Sequence, residues 1–385
     1  MELESRAKIG IIGTGFIGTG LSKVIGQLED MTVSCVLTQR NLDELPQEGK
    51  FTNSVQELID KSQIVVECNG NPIYATEIVQ KVMQADIPVV TMDAELHITS
   101  GSFLSTKGFI TEADGDQPGA LASFNRYLTG IGFKPLVYGN LKGFLNHNPT
   151  EKEMSYWAKK QGISIKEVTG ATDGTKIQVE QALVANGLGA AIGIKGLFGY
   201  ETINIEQDAQ RLAEYAKEIG KPISDYLLRS PSHKGVFPKG VFITAEHDPE
   251  QASALGYLKL GEGPLYTLIR NYYLCHLEIP VTIREVLHER SILLDNSSKP
   301  TASVCAIAKK NIMPGTVINW SNRHFFVRGE AVIIADTPNH VPIGLMNDVI
   351  INRKIEPGQM IEIDDVEIPD SKAYEGWQYT LTLIK

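Results

Sequence analysis

The stretch GFITEADGDQPG, residues 108–119, sets Glu112, Asp114 and Asp116 within five residues, directly behind a short apolar run. Like charges packed this closely call for a positive partner. The three carboxylates could hold Mg2+ or Mn2+, hard cations that prefer oxygen ligands and keep several waters. They could equally serve as general acid and base, or accept hydrogen bonds from substrate hydroxyls. The plain alternative places Asp116 at a helix N-terminus, with Glu112 and Asp114 solvated.

Further on, GATDGTKIQVEQALVANG (170–187) gathers Asp173, Lys176 and Glu180 around a helix start. Lys176 and Glu180 fall one turn apart on one face, the spacing of an ordinary surface ion pair. In a cleft, Lys176 helped by Asp173 would instead form a proton-transfer couple for carbonyl reduction. A third group, Arg270, Tyr272, Tyr273, His276 and Glu278, lies in GYLKLGEGPLYTLIRNYYLCHLEIP (256–280), whose alternation suggests strands broken by a turn at 261–264. Arg270, Tyr272 and His276 could take a phosphate or carboxylate, or the tyrosines could simply pack on a sheet face. Asn146 and His147 follow the strand-like run PLVYGNLKGFL. The histidine could be a proton donor or an ordinary loop residue.

These groups need a scaffold, and the N-terminus announces one. KIGIIG (8–13) reads as a strand buried on both faces that runs into Gly13-Thr14-Gly15-Phe16-Ile17-Gly18 and then a helical stretch. Glycines at this spacing permit a tight turn, let backbone approach a pyrophosphate and let helix pack on strand. The strand MTVSCVL (31–37) ends in Thr38-Gln39-Arg40, with no acid where an NAD enzyme holds its ribose hydroxyls. Thr38 and Arg40 suit the 2′-phosphate of NADP; the plain alternative leaves Arg40 a solvated surface charge, with Asp43 reaching back to the ribose. A Ser54/Glu57 capping box opens the next helix. The strand QIVVEC ends at Asn69-Gly70-Asn71-Pro72, a loop expected near the nicotinamide ribose. A helix and the strand IPVVTM follow. This order predicts a doubly wound parallel sheet whose ligands sit at the carboxyl ends of the strands.

The chain has 385 residues, enough for two or three domains. We read a nucleotide-binding domain over 1–135, an α+β catalytic or dimerisation domain over 136–299, and a small all-β domain over 300–385. A net charge of −10 argues against nucleic acid. The start, MELESRAKIGIIG, is unlike a secretory signal, and no apolar run is long enough to span a membrane. Cys35, Cys68, Cys275 and Cys305 are scattered and read as reduced thiols. A cytoplasmic protein is expected.

In the last segment, KNIMPGTVI and RKIEPGQMIEIDDVE repeat one phrase around Pro-Gly turns. The segment resembles a SAF domain, the β-clip module found in sialic-acid synthases. The body resembles the homoserine-dehydrogenase-like superfamily through GIIGTGFIG and NLKGFLNHNPT. His147-Asn148 replace that family's Gly-Thr after the shared Asn146, which counts against homoserine as substrate. Taken whole, with EADGDQPG, ATDGTKIQVEQALVANG and LGEGPLYTLIRNYYLCHLEIP, the chain is similar to 1-deoxy-D-xylulose 5-phosphate reductoisomerase-like enzymes. That resemblance implies NADPH, a divalent cation, a phosphorylated ketose and a homodimer. The alternatives are a dehydrogenase of a short amino or hydroxy acid, active without metal, and a non-catalytic NADP- or sugar-binding sensor.

Overall fold

A computed structural model describes residues 6–47 and 49–384. The acidic start of the chain lies outside them. Six strands, β1 (Ala7–Ile12), β2 (Met31–Leu37), β3 (Phe51–Thr52), β4 (Ile64–Glu67), β5 (Val89–Thr91) and β6 (Ile110–Glu112), form one parallel sheet in the order β3-β2-β1-β4-β5-β6. The order reverses beside β1, so the crevice at its carboxyl end is where a dinucleotide would lie. β1 is buried on both faces, as a parallel strand between two helical layers must be. Ile9 and Ile11 pack under helix Phe16–Ile25, and Ile12 faces helix Pro72–Gln84.

Strands β7 (Lys134–Lys142), β8 (Tyr200–Thr202), β9 (Ile223–Arg229), β10 (Val241–Glu246) and β11 (Leu265–Arg270) make a mixed sheet, ordered β11-β10-β7-β9-β8. Between 256 and 264 the chain does not form the strand expected from its alternation: Ala252–Tyr257 is helical and β11 begins at Leu265. After this sheet, helix Ile279–Glu289 returns to the nucleotide-binding layer, where Ile279, Ile283 and Val286 share the core of Ile9 and Ile11.

The last segment carries the expected small antiparallel sheets. β12 (Ala302–Ala308) pairs with β14 (Val327–Ile333), and β13 (Val317–Ile318), β15 (Val349–Ile351) and β16 (Val366–Glu367) form a second sheet. It then ends in helix Lys372–Thr382, which packs on helix Pro72–Gln84 and on the segment around Ser100 and Phe103. Helix Thr175–Gly187 joins the three parts and is buried all round from Ile177 to Asn186. A helix without a wet face must satisfy its polar side chains internally. Gln178 accepts from Ala331 N–H at 2.8 Å, Gln181 donates to the Tyr138 carbonyl at 2.9 Å, and Asn186 donates to the Ala302 carbonyl at 2.9 Å. Among the described residues no helix is long and apolar enough to cross a membrane.

Candidate active site

The glycine turn is built as its spacing requires. Gly13 has φ +113°, a left-handed conformation, and a Cβ on it would meet the Cys68 carbonyl at 2.9 Å. A Cβ on Gly18 would stand 2.2 Å from the Gly13 carbonyl oxygen, whereas one on Gly15 meets nothing within 4 Å. Two glycines therefore serve the fold, and Gly15 leaves the space that a pyrophosphate needs. Helix Phe16–Ile25 begins there with no side-chain cap and no acid in its first turn, so its free N–H groups face an open cleft. The cleft encloses about 920 Å³ and is lined by Phe16, Arg40, Asn69, Gly70, Lys166 and Trp320, among others. Thr38 takes no part in that lining. Its hydroxyl lies 3.2 Å from the Thr14 hydroxyl and accepts from Arg40 N–H at 3.2 Å, so it shapes the turn while Arg40 reaches the ligand side.

A second cavity of about 380 Å³ adjoins the first and shares Phe16, Gly70, Ile163, Lys166 and Glu167 with it. Ile17 and Lys176 line it. The Lys176 Nζ lies 2.5 Å from Asp116 and 3.0 Å from Glu180. Burial alone would lower its pKa, but the two carboxylates outweigh burial and hold the ammonium well above its ordinary value. Glu180 is itself pushed up to about 7 by burial, against the pull of Lys176. Its other oxygen accepts from Asn140 at 3.2 Å.

The acidic loop thus meets its positive partners inside the chain, and its three carboxylates part company. Asp116 caps helix Gln117–Gly130 and pairs with Lys176. Asp114 pairs with Arg270 at 3.2 Å. Glu112 is fully buried, 3.6 Å from the His97 ring, with its pKa driven well above the ordinary carboxylate value by desolvation and the neighbouring Asp116. The shared metal set that their spacing allowed does not assemble, and the Asp116 cap is the helix-N-terminus alternative. Among the described residues no three His, Cys, Asp or Glu side chains are grouped to hold a metal ion.

Several expected ligands are otherwise engaged. Arg270 bonds Asp114, Glu278 and the Ser123 hydroxyl, a half-buried clamp in which two carboxylates meet its charge. Tyr272 is exposed beside it. His276 lies in the nucleotide cleft, edge-on to Phe16 at 5.4 Å between ring centroids. Asp173 lines the Lys176 cavity but pairs with Lys309 of the C-terminal segment, while Lys176 pairs with Asp116 and Glu180. His147 is exposed and its Nδ1 lies 2.9 Å from the Asp173 carbonyl. Asn146 lines a third cavity, of about 1000 Å³, together with Lys142, Arg229, Lys239 and Tyr273.

Residues 13–103 match the profile of the homoserine dehydrogenase NAD-binding domain, and residues 115–279 match that of the catalytic domain of oxidoreductase DRL. The chain is an NAD(P)-dependent oxidoreductase. Solved structures similar to the oxidoreductase include UDP-N-acetylglucosamine 3-dehydrogenase GnnA from Acidithiobacillus ferrooxidans, at 11% identity over 76% of this chain and 92% of that one, with a TM-score of 0.42. Dipicolinate-bound dihydrodipicolinate reductase from Paenisporosarcina sp. TG-14 is 12% identical over 74% of this chain and 97% of that one, with a TM-score of 0.36. An NAD-binding protein from Listeria innocua is 11% identical over 76% and 90%, also at 0.36. No curated protein matches the chain.

The oxidoreductase also draws into its site residues that sequence reasoning passed over. Lys166, in helix Ile165–Asp173, borders both cavities. Trp320, Arg323 and His324 come from the C-terminal segment. Arg323 lies 4.4 Å from the Trp320 ring and pairs with Glu95, which follows β5. Nothing local in ISIKEV or NWSNRHFF marks these side chains, because their meeting depends on how the C-terminal segment folds back.

Proposed function

We propose that the oxidoreductase uses NADPH to reduce the carbonyl of a small phosphorylated keto-sugar, with the 1-deoxy-D-xylulose 5-phosphate type as the first candidate. The observation that carries this reading is Lys176, held between Asp116 and Glu180 in a cavity that opens on the nucleotide cleft. When bound, the reduced nicotinamide supplies the hydride. The residues that would hold the cofactor are the 13–18 turn, Arg40 and the Asn69-Gly70 loop. Lys176, kept charged by two carboxylates, is suited to polarise the substrate oxygen rather than to give up a proton. Arg40 at the end of a strand that lacks an acid supports NADP. Lys142, Arg229 and Lys239 in the adjoining cavity support an anionic substrate.

A dehydrogenase of a short amino or hydroxy acid is the second reading. The divergence of Glu112, Asp114 and Asp116 favours it, because that reading needs no metal. The test is spectroscopic NADPH oxidation with 1-deoxy-D-xylulose 5-phosphate, with and without Mg2+ or Mn2+. Turnover supports the keto-sugar reading, and metal dependence adds the cation. Failure with that substrate, alongside metal-free turnover of a hydroxy or amino acid partner, supports the second. NADPH binding without turnover of any carbonyl compound would turn attention to a sensor.

A further inference from the structure

We propose that Lys166 is the group that delivers the proton to the substrate oxygen, held in place by the Gly70 carbonyl and by Trp320 of the C-terminal segment. The proposal rests on the reductase reading above and divides its acid work between two lysines. Lys166 borders both the nucleotide cleft and the Lys176 cavity, so its ammonium stands where the two ligands would meet. Its Nζ donates to the Gly70 carbonyl at 2.6 Å and sits 3.2 Å from the centroid of the Trp320 ring. Both direct partners are neutral. They orient the ammonium without binding its proton as a carboxylate would.

The charges around it point the same way. Burial and then Arg323 bring Lys166 down to about 8, against the opposing pull of Glu95, Asp93 and, on its own helix, Glu167. His324, the remaining titratable neighbour from the C-terminal segment, is lowered to about 4 by burial and the surrounding cations, so it stays neutral. An acid works best with a pKa near the working pH. Lys176, gripped by Asp116 and Glu180, is poorly matched to that task. In the step itself, hydride arrives at the carbonyl carbon, the C=O π pair moves to oxygen, and that oxygen takes a proton from the Lys166 ammonium. The neutral amine then regains a proton from water in the open cleft.

The C-terminal segment acquires a role through this arrangement. Trp320 and Arg323 set the position and the acidity of a group carried by the catalytic domain.

The first arm of the test needs no substrate. Trace acetylation of the intact protein across neutral to alkaline pH, read by mass spectrometry, should give Lys166 a midpoint near 8, with NADPH slowing its reaction. The second arm is kinetic, on whichever carbonyl substrate the wild type reduces. Lys166→Met should lower kcat by about 10²–10⁴-fold and abolish the alkaline fall of kcat. Methylamine should restore part of the rate to Lys166→Ala. Lys166→Arg keeps the charge and the Trp320 contact, so it would rescue a structural role but not an acid. Ordinary surface-lysine reactivity at Lys166, lack of NADPH protection, full activity in Lys166→Arg, or an alkaline limb that survives Lys166→Met would each overturn the proposal. Lowered, protected Lys166 in a protein that reduces no carbonyl compound would instead overturn the reductase reading, and the acid role with it.

Discussion

Asp173 and Lys309, 136 residues apart, form a buried ion pair that ties the C-terminal segment to the end of helix Ile165–Asp173. Lys309 also donates to the His324 carbonyl at 2.6 Å, and Asp173 accepts from Thr175 N–H at 2.9 Å, so the pair is completed by backbone. Burial lowers the Lys309 pKa and Asp173 opposes that shift. The pair sits next to the residues that the C-terminal segment sends into the cavity. Asp173 therefore acts as a tether, and the partners of Lys176 are found in Asp116 and Glu180.

A tether makes a stability prediction. Removing one charge of a buried pair leaves the other uncompensated, at a cost of about 3–5 kcal/mol. Asp173→Asn should lower the unfolding free energy by roughly that amount, and Asp173→Asn with Lys309→Met should recover much of the loss. Denaturant unfolding of the three proteins checks this. Equal loss in the single and double variants would mean that the pairing itself contributes little.

The glycine turn separates fold from binding. Gly18→Ala puts a methyl 2.2 Å from the Gly13 carbonyl, so strand and helix must move apart. Its cost should be about 1–3 kcal/mol, the usual range for overpacking. Gly15→Ala meets nothing within 4 Å and should keep full stability. It should weaken NADPH binding about tenfold or more, because the methyl fills the space left for phosphate. Thermal unfolding and fluorescence titration, run on both variants, would show the two effects apart. A Gly15→Ala protein that binds NADPH normally would place the pyrophosphate elsewhere.

Local rules explain what was legible in the sequence. The nucleotide sheet follows from short β-α-β spacing and the glycine turn. Ser54 caps Val55–Lys61 as read, but Glu57 turns to Thr52 and Lys61 instead of closing the box. Lys176 and Glu180 pair because a helix brings i and i+4 together whatever lies around it. The remaining site depends on partners distant in sequence. Arg270 meets Asp114 across 156 residues, and Lys166 meets Trp320 only once the C-terminal segment has docked. A carboxylate shows its charge in the sequence but not which cation will claim it. For that reason the three acids of one loop left metal, acid–base and helix-cap readings open side by side.

Arg40 gives the cofactor preference a direct test. Hydrogen bonds to a charged group are worth about 1.5–3 kcal/mol, which corresponds to roughly 10–100-fold in affinity. Arg40→Ala should weaken NADPH by that factor and leave NADH nearly unchanged, as measured by fluorescence titration of each. Parallel losses for both cofactors would show that Arg40 does not contact the 2′-phosphate.

Glu67 predicts how stability follows pH. It ends β4 with no exposed surface, accepting from Asn69 N–H and from the Thr91 hydroxyl, each at 2.7 Å. Burial, with the neighbouring Asp93 second, raises its pKa to about 8. Asp93 is raised to about 6, chiefly by its own burial. Above their ordinary carboxylate values, the unfolded chain surrenders protons that the folded chain keeps. Their contribution to stability is therefore complete in acid and is lost as pH rises, through about 6 for Asp93 and about 8 for Glu67. Glutamine cannot ionise, yet its carbonyl can still accept from Asn69 and its amide can donate to Thr91. Glu67→Gln should thus unfold at higher urea than wild type in mildly alkaline solution, with the gap closing toward acid. If the wild type and Glu67→Gln instead show the same dependence of the urea midpoint on pH, the buried carboxyl is ionised in the fold, and a cation must accompany it.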